Sequence, residues 1–566
     1  MLGTACRAVL AVVVAALLLA VSACGDGRGP AMVSTANPHA STAAIEILRR
    51  GGSAIDAAIA AQLVLGLVEP QSSGLGGGAF LLHWDAGSET VEAYDGRETA
   101  PAAARPDLFL KPDGTPMPFM EAVVGGRAVG VPGLVAMLAM AHRDHGVLDW
   151  ASLFEPAIEL AETGFTVSPR LHAMISAMDR LAEDPAARAY FYADTGPGVS
   201  PLPVGHRLRN PAYARTLRII AEQGPEGFYH GEIAEAIVAA VTGHANPGAM
   251  TLEDLAGYEA KKREPVCRPY RGYRVCGMPP PSSGGLTTAM ILGLLEPFAL
   301  PAMRPGSPTT VHLISEASRL AYADRARYMA DSDFVTVPVE VLTDPRYIAD
   351  RARLIHPGRS MGVAEAGRLD WQTAPAKEMS RASTTHLAIV DGRGNAVSLT
   401  SSIEGPFGAH VMAAGFLLNN QLTDFSFVPE RNGMAVANAV AGGKRPRSSM
   451  APTLVFAPDG GLFAALGSPG GSRIIAYVAQ TLVGLIDWGL PMQEAIDLPR
   501  HVNRNGVTEL EAGTTLAGHA DALRALGHEV EIRPLTSGLH GIRLTAGGMD
   551  GGADRRREGV VMTFAE

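Results

Sequence analysis

The sequence predicts a layered α/β protein in which two packed sheets are flanked by helices. Two observations carry that expectation. Strand-like runs stand early in the chain, at 78–84, and repeatedly after residue 384, while residues 135–330 between them are dominated by helical patterns. No flexible polar linker separates the helical part from the strand-rich part, and no repeat of roughly 20–50 residues points to a solenoid or propeller.

The elements follow in order. In residues 1–23, Arg7 and the run AVLAVVVAALLLAVSA make a short apolar segment with a weakly basic start, which reads as a signal peptide and is too short for a membrane span. It ends Val21-Ser22-Ala23-Cys24, and a small-residue site directly before a cysteine resembles the bacterial lipoprotein box, where Cys24 becomes the lipidated N-terminus. Simple secretory cleavage after Ala23 is the alternative; both predict export, to the periplasm or the cell surface. A helix is expected over 40–50, stopped by Gly51-Gly52. An Ala-rich helix over 53–67 is apolar on nearly every face, so it must be covered on all sides. Helices over 134–143, 151–163, 211–223 and 309–330 are separated by Pro- and Gly-rich loops. After 384 come the runs THLAIV, NAVSLTSS, GFLLNN, PTLVFA, LFAALG, GVTELE and EVEIR, joined by tight turns, with one long helix near 472–487.

Composition narrows the class. The chain has 566 residues, 47% apolar and 18% charged, too apolar for disorder. A net charge of −10 without any long basic run disfavours a nucleic-acid partner. The one basic cluster, Arg555-Arg556-Arg557, reads as a solvated face. Cys6 and Cys24 belong to the leader, leaving Cys267 and Cys276 in VCRPYRGYRVCG. Two cysteines flanking a Pro/Gly turn in an exported chain suggest a disulfide across a hairpin, with a pair of free thiols as the alternative.

Several chemistries lack their motifs. Gly74-Leu75-Gly76-Gly77-Gly78 precedes a strand instead of opening a helix, so a dinucleotide loop is not supported. There is no GxxxxGK[ST], HExxH, CxxC or GxSxG. What the strand-rich third does have is a density of small polar residues: Thr384-Thr385, Ser401-Ser402, LLNNQLTDF at 417–425, KRPRSSM at 444–450 and GSPGGSR at 467–473. Each alone is a turn or a strand end. Together they gather acceptors, hydroxyls and backbone N–H groups at one rim, which is how a polar ligand is oriented.

These residues, in order and spacing, resemble the γ-glutamyltranspeptidase family, as do the upstream stretches GGSAIDAAIAAQLVLGLVEPQSSGLGGGAF, YDGRETAP, PPPSSGG and HLISEASRLAYADRARYMADSDFVTVPV. The resemblance runs from about residue 33 to the C-terminus. It implies an N-terminal-nucleophile hydrolase: a four-layer αββα sandwich with two stacked, mainly antiparallel sheets, made as one inactive chain that cuts itself before a threonine. On this sequence the cut falls between Ser383 and Thr384, giving a large subunit 24–383 and a small catalytic subunit 384–566 interwoven as a heterodimer of the chain's own fragments. Before the cut the Thr384 nitrogen is an amide; afterwards it is an α-amine with a pKa of about 7.7–8.0, able to take the proton of its own hydroxyl. Thr384 then supplies both attacker and base.

The resemblance also implies the site. Oxyanion donors are the N–H groups of Gly470 and Gly471, and Ser402 holds the Thr384 oxygen or amine. Arg97 takes the substrate α-carboxylate through its planar fork, with Ser448 and Ser449 beside it. Gln421 and Asp424 take the α-ammonium. Thr385 is structural and His386 a strand histidine beside the site. Where well-known members have Thr and Asn, this chain has Ser402 and Glu404. Glu404 can still meet an ammonium but repels a second carboxylate. The lid segment, 425–447, has no Tyr to close over a substrate. No metal or organic cofactor is implied, since nucleophile, base and donors all come from the chain. The expected partners are a small γ-glutamyl substrate such as glutathione and water or an amino acid or peptide acceptor, with membrane attachment only through Cys24. Two alternatives remain open: a glutaryl- or cephalosporin-acylase-like amidase of the same mechanism, and a non-catalytic surface lipoprotein that keeps the fold.

Overall fold

The computed structural model describes residues 29–196, 198–369, 373–376 and 383–565. The leader and Cys24 lie outside the described residues. Two sheets are built from strands β1 (Ala31–Thr35), β2 (Gly78–Asp85), β3 (Thr90–Gly96), β4 (Lys261–Arg263), β5 (Val266–Tyr270), β6 (Tyr273–Gly277), β7 (Thr385–Val390), β8 (Ala396–Ser402), β9 (Thr453–Phe456), β10 (Leu462–Gly467), β11 (His540–Thr545), β12 (Gly548–Ala553) and β13 (Val560–Phe564). The first sheet runs β13-β1-β7-β8-β2-β3-β4 and the second β12-β11-β10-β9-β6-β5, each antiparallel throughout. Helices cover both outer faces, completing the four-layer sandwich.

Period-two alternation assigns the faces. On β7, Leu387 and Ile389 join the core beneath helices α1 (Pro38–Arg49), α2 (Ala54–Val68) and α3 (Leu134–His145), while Ala388 and Val390 join the core shared with the second sheet. Every residue of α2 is buried, as its uniformly apolar surface requires. Its start is a capping box, in which Ser53 Oγ accepts from the Asp56 N–H and the Asp56 carboxylate accepts from the Ser53 N–H. On the far side, α4 (Gly284–Leu295), α5 (Pro308–Tyr328) and α6 (Ile474–Ile486) cover the second sheet. Ser398 stitches the sheets together: its Oγ donates to Leu466 O (2.9 Å) and accepts from Thr453 N (3.0 Å).

Cys267 and Cys276 face each other across β5 and β6 and are bonded to each other. Among the described residues no helix is long and apolar enough to cross a membrane.

Three expectations need correction. The VTELE and EVEIR runs are strands, but they form a separate small sheet with His501–Asn503 instead of joining the sandwich. GFLLNN yields only the two-residue strand Phe416–Leu417, because the following Asn and Gln residues turn into a 3₁₀ turn at Gln421–Asp424. The Arg555–Arg557 cluster is not a solvated face. Arg555 is exposed, but Arg556 is paired with Glu511 and Asp554, and Arg557 is 8% exposed.

Candidate active site

The antiparallel register brings the first residues of the site together. β7 pairs with β8 so that Thr385 opposes Ser401, which places Thr384 beside Ser402 at the rim. Their hydroxyls are 2.9 Å apart. Ser402 Oγ also accepts the Glu404 N–H at 2.9 Å, so its own proton is free for the Thr384 oxygen. Thr384 has φ +86°, a left-handed conformation that costs a β-branched residue about 1–3 kcal/mol and that persists only where surroundings impose it.

The second sheet delivers the donors. After β10 the chain turns through Gly470 and Gly471 into α6, and both glycines have positive φ. A Cβ at Gly470 would also meet the Tyr477 ring at 2.7 Å, so glycine is required there on two counts. The Gly470 N–H donates to the carbonyl oxygen of Ser383 at 3.1 Å. This carbonyl is the one immediately before Thr384. The Thr384 carbonyl in turn accepts from Arg557 at 2.8 Å. Burial, with Arg170 nearby, pushes the Arg557 pKa down to about 9, which still leaves it cationic at neutral pH.

Arg97 follows β3 directly and is fully buried. Its Nε donates to Pro446 O (3.1 Å), and one terminal nitrogen donates to Asp424 (2.5 Å) and to Arg447 O (3.2 Å). Gln421 Nε2 also reaches Asp424, at 2.9 Å. Arg97 and Asp424 therefore pair with each other. Glu404 stands against the same Asp424. Burial and the Asp424 charge hold its carboxyl well above the usual range, favouring its protonated form, with one oxygen accepting from Asn420 at 3.1 Å. Glu98, 3.8 Å from Arg97, is fully buried, and burial pushes its pKa up to about 8 against the pull of the guanidinium.

A cleft of about 300 Å³ joins these groups, lined by Arg97, Thr384, Ser402, Glu404, Gln421, Asp424, Ser448, Ser449, Met450, Gly471, Ser472 and Ile474. Ser448 Oγ accepts from the Met450 N–H (3.1 Å), and Ser449 Oγ accepts from Arg325 (2.6 Å). His386 is buried with Nδ1 on Thr400 (2.9 Å), and burial keeps it neutral. The Cys267–Cys276 hairpin does not line the cleft. Sequence reasoning missed Arg557. Its signal is weak: an Asp554-to-Glu558 turn between two strands, in which one of three arginines points inward.

The arrangement can hold an oxyanion beside a threonine hydroxyl and, at the other end, exchange an internal ion pair for a zwitterion. Comparison with known proteins identifies the family. The family described as gamma-glutamyltranspeptidase matches residues 40–564. A glutathione hydrolase proenzyme of Bacillus subtilis (strain 168) is 36% identical over 520 residues, spanning 90% of this chain and 86% of that protein. An acylase, ACY 1 proenzyme of Pseudomonas sp. (strain V22), is 39% identical over 548 residues, spanning 94% and 93%. The crystal structure of a cephalosporin acylase from Bacillus halodurans superposes with a TM-score of 0.80 at 29% identity, covering 94% of this chain and 96% of that one.

Proposed function

The chain belongs to the γ-glutamyltranspeptidase family of N-terminal-nucleophile enzymes, and from that premise we propose that it cuts itself before Thr384 and then cleaves γ-glutamyl amides such as glutathione. In the cut, Thr384 Oγ1 attacks the Ser383 carbonyl carbon, the C–N bond breaks to give an ester, and water opens the ester. Ser383 keeps a carboxylate, and Thr384 gains a free amine. Backbone strain at Thr384 and the Gly470 donor on the Ser383 carbonyl support this order of events.

In the mature enzyme the freed amine takes the hydroxyl proton, and Oγ1 attacks the γ-carbonyl. Gly470 and Gly471 then face the oxyanion, each donor being worth about 10²–10³ in rate. Water, or an amino acid or peptide amine, opens the γ-glutamyl ester. The positive charge of Arg557 beside Thr384 favours the uncharged amine, which keeps the base ready at neutral pH.

The observation that carries the acyl-group assignment is the buried Arg97–Asp424 pair across the cleft from Thr384. A γ-glutamyl group ends in an α-carboxylate and an α-ammonium. It replaces that pair charge for charge, carboxylate on Arg97 and ammonium on Asp424, with Glu404 close behind. A glutaryl group has no ammonium and leaves Asp424 facing an unpaired desolvation cost. The acylase relatives favour a second reading, in which glutaryl-type side chains are the better substrates. Purified protein assayed on γ-glutamyl and glutaryl anilides separates the two, since faster glutaryl turnover overturns the first. Export and lipidation at Cys24 belong to the same proposal. Palmitate labelling that disappears in Cys24→Ala supports the anchor, and unlabelled wild type contradicts it.

A further inference from the structure

Away from the cleft, the hairpin β2–β3 and the end of α3 bring together two imidazoles and a carboxylate. His83 on β2 lies directly opposite Glu92 on β3, so both side chains project from the same face of the sheet. His145, the last residue of α3, comes down over them: its ring is 4.0 Å from that of His83, and its Nε2 contacts Glu92. One nitrogen of each histidine and one Glu92 oxygen lie within 4.8 Å of one another. His83 is 2% exposed, and its Nδ1 has no hydrogen-bond partner among the described residues. A buried polar atom left that way costs about 1–3 kcal/mol and calls for an explanation.

A second triad of the same composition provides the contrast. His312, Glu316 and His528 are also within 4.8 Å and all buried. There the Glu316 carboxylate accepts from Arg319 (2.8 Å), Ser360 (2.8 Å) and the Met361 N–H (2.7 Å). His312 bonds His528 (2.7 Å) and His356 O (2.9 Å), and His528 bonds Thr508 (2.9 Å). Every ring nitrogen and both carboxylate oxygens already have hydrogen-bond partners, and it is a hydrogen-bonded core network.

At the first triad we propose a binding site for a divalent first-row transition ion of the zinc class, held by His83, Glu92 and His145. Two imidazoles and one carboxylate are the donor set such ions take, at about 2.0–2.2 Å each, with a further position left for water. Glu92 and His145 are 26% and 17% exposed, so the open position faces solvent. Tyr94 OH contacts both Glu92 and Asp144 at 3.0 Å and orients the carboxylate. Lys262 sits on the other Glu92 oxygen at 2.6 Å and on Asp144 at 2.8 Å, and its exposed ammonium is the internal competitor that the ion must tolerate or push aside. The site ties the β2–β3 hairpin to the end of α3. Along β3 it is about 17 Å from Arg97, too far to touch the substrate. Its role is structural, independent of the catalytic assignment.

The test uses full-length, untagged protein stripped with a chelator and titrated calorimetrically with zinc chloride. Wild type is expected to take up one zinc per chain and to melt at a higher temperature with zinc than without. His145→Ala, a partly exposed substitution that leaves the fold in place, and His83→Asn are each expected to bind at least about tenfold more weakly, and Lys262→Met more tightly. Cobalt in place of zinc should give the visible absorption of a nitrogen-ligated ion of low coordination number, lost in His145→Ala. No stoichiometric uptake by wild type, or uptake unchanged in both histidine variants, overturns the site.

Discussion

Replacing Glu404 by Gln isolates the buried carboxyl that stands against Asp424 in the cleft. Because burial and the Asp424 charge favour the protonated Glu404 carboxyl, Gln stays close to its shape and charge in the free enzyme, and stability should change by less than about 1 kcal/mol. The difference comes with substrate. An α-ammonium about 4 Å from an ionised Glu404 is worth up to about 4 kcal/mol at an effective dielectric of about 20, offset in part by the cost of ionising a buried carboxyl. A net loss of about 1–3 kcal/mol follows, so kcat/KM on a γ-glutamyl anilide should fall about tenfold to a hundredfold, mostly in KM. The glutaryl anilide, lacking the ammonium, should change little. Wild-type kcat/KM on the γ-glutamyl compound should rise with pH more steeply than the variant's, which keeps only the limb set by the Thr384 amine. Equal losses on both substrates, or an unaltered pH profile, would refute the ammonium-facing role.

Other outcomes follow from the same geometry. Arg557→Met removes the cation beside Thr384, so the pKa governing the acidic limb of kcat/KM in processed enzyme should rise, by roughly 1–3 units for a charge within about 4–6 Å. Glu98 binds its proton up to about pH 8 in the native state but only up to about its ordinary 4.5 when unfolded. Its contribution is therefore intact below about 4.5 and lost at about 1.4 kcal/mol per unit as pH rises toward about 8. Glu98→Gln should remove that part of the slope in urea titrations, and an unchanged slope contradicts it. Cys276→Ser should lower stability by about 2–3 kcal/mol for a loop of sequence separation 9 while leaving γ-glutamyl turnover intact.

Much of the fold was legible because its signals are local. The apolar faces of 54–68, the Pro-initiated starts of 211–223 and 308–328 and the β-branched runs of β7 and β8 act over a few residues. The C-terminal strands β11 to β13 were not, since Gly548, Gly551 and Gly552 erase the alternation and pairing across hundreds of residues, as of Val33 with Met562, carries no local trace. The residues that line the cleft were grouped by motif order, yet their charge states were not legible. That the Glu404 and Glu98 carboxyls are shifted upward, and that Arg97 and Asp424 hold each other, depends on burial and distance that only folding creates. Arg557 failed for the same reason: three adjacent arginines look alike until the turn points one of them at Thr384.

The central claim is that Thr384 is both the cut point and the nucleophile. Intact-mass measurement with N-terminal sequencing of purified wild type and Thr384→Ala tests it most directly. Wild type should give two fragments, the smaller beginning at Thr384, and the variant a single uncut chain without activity. A variant that still cuts at the same bond, or a wild type that is active as one chain, would contradict it.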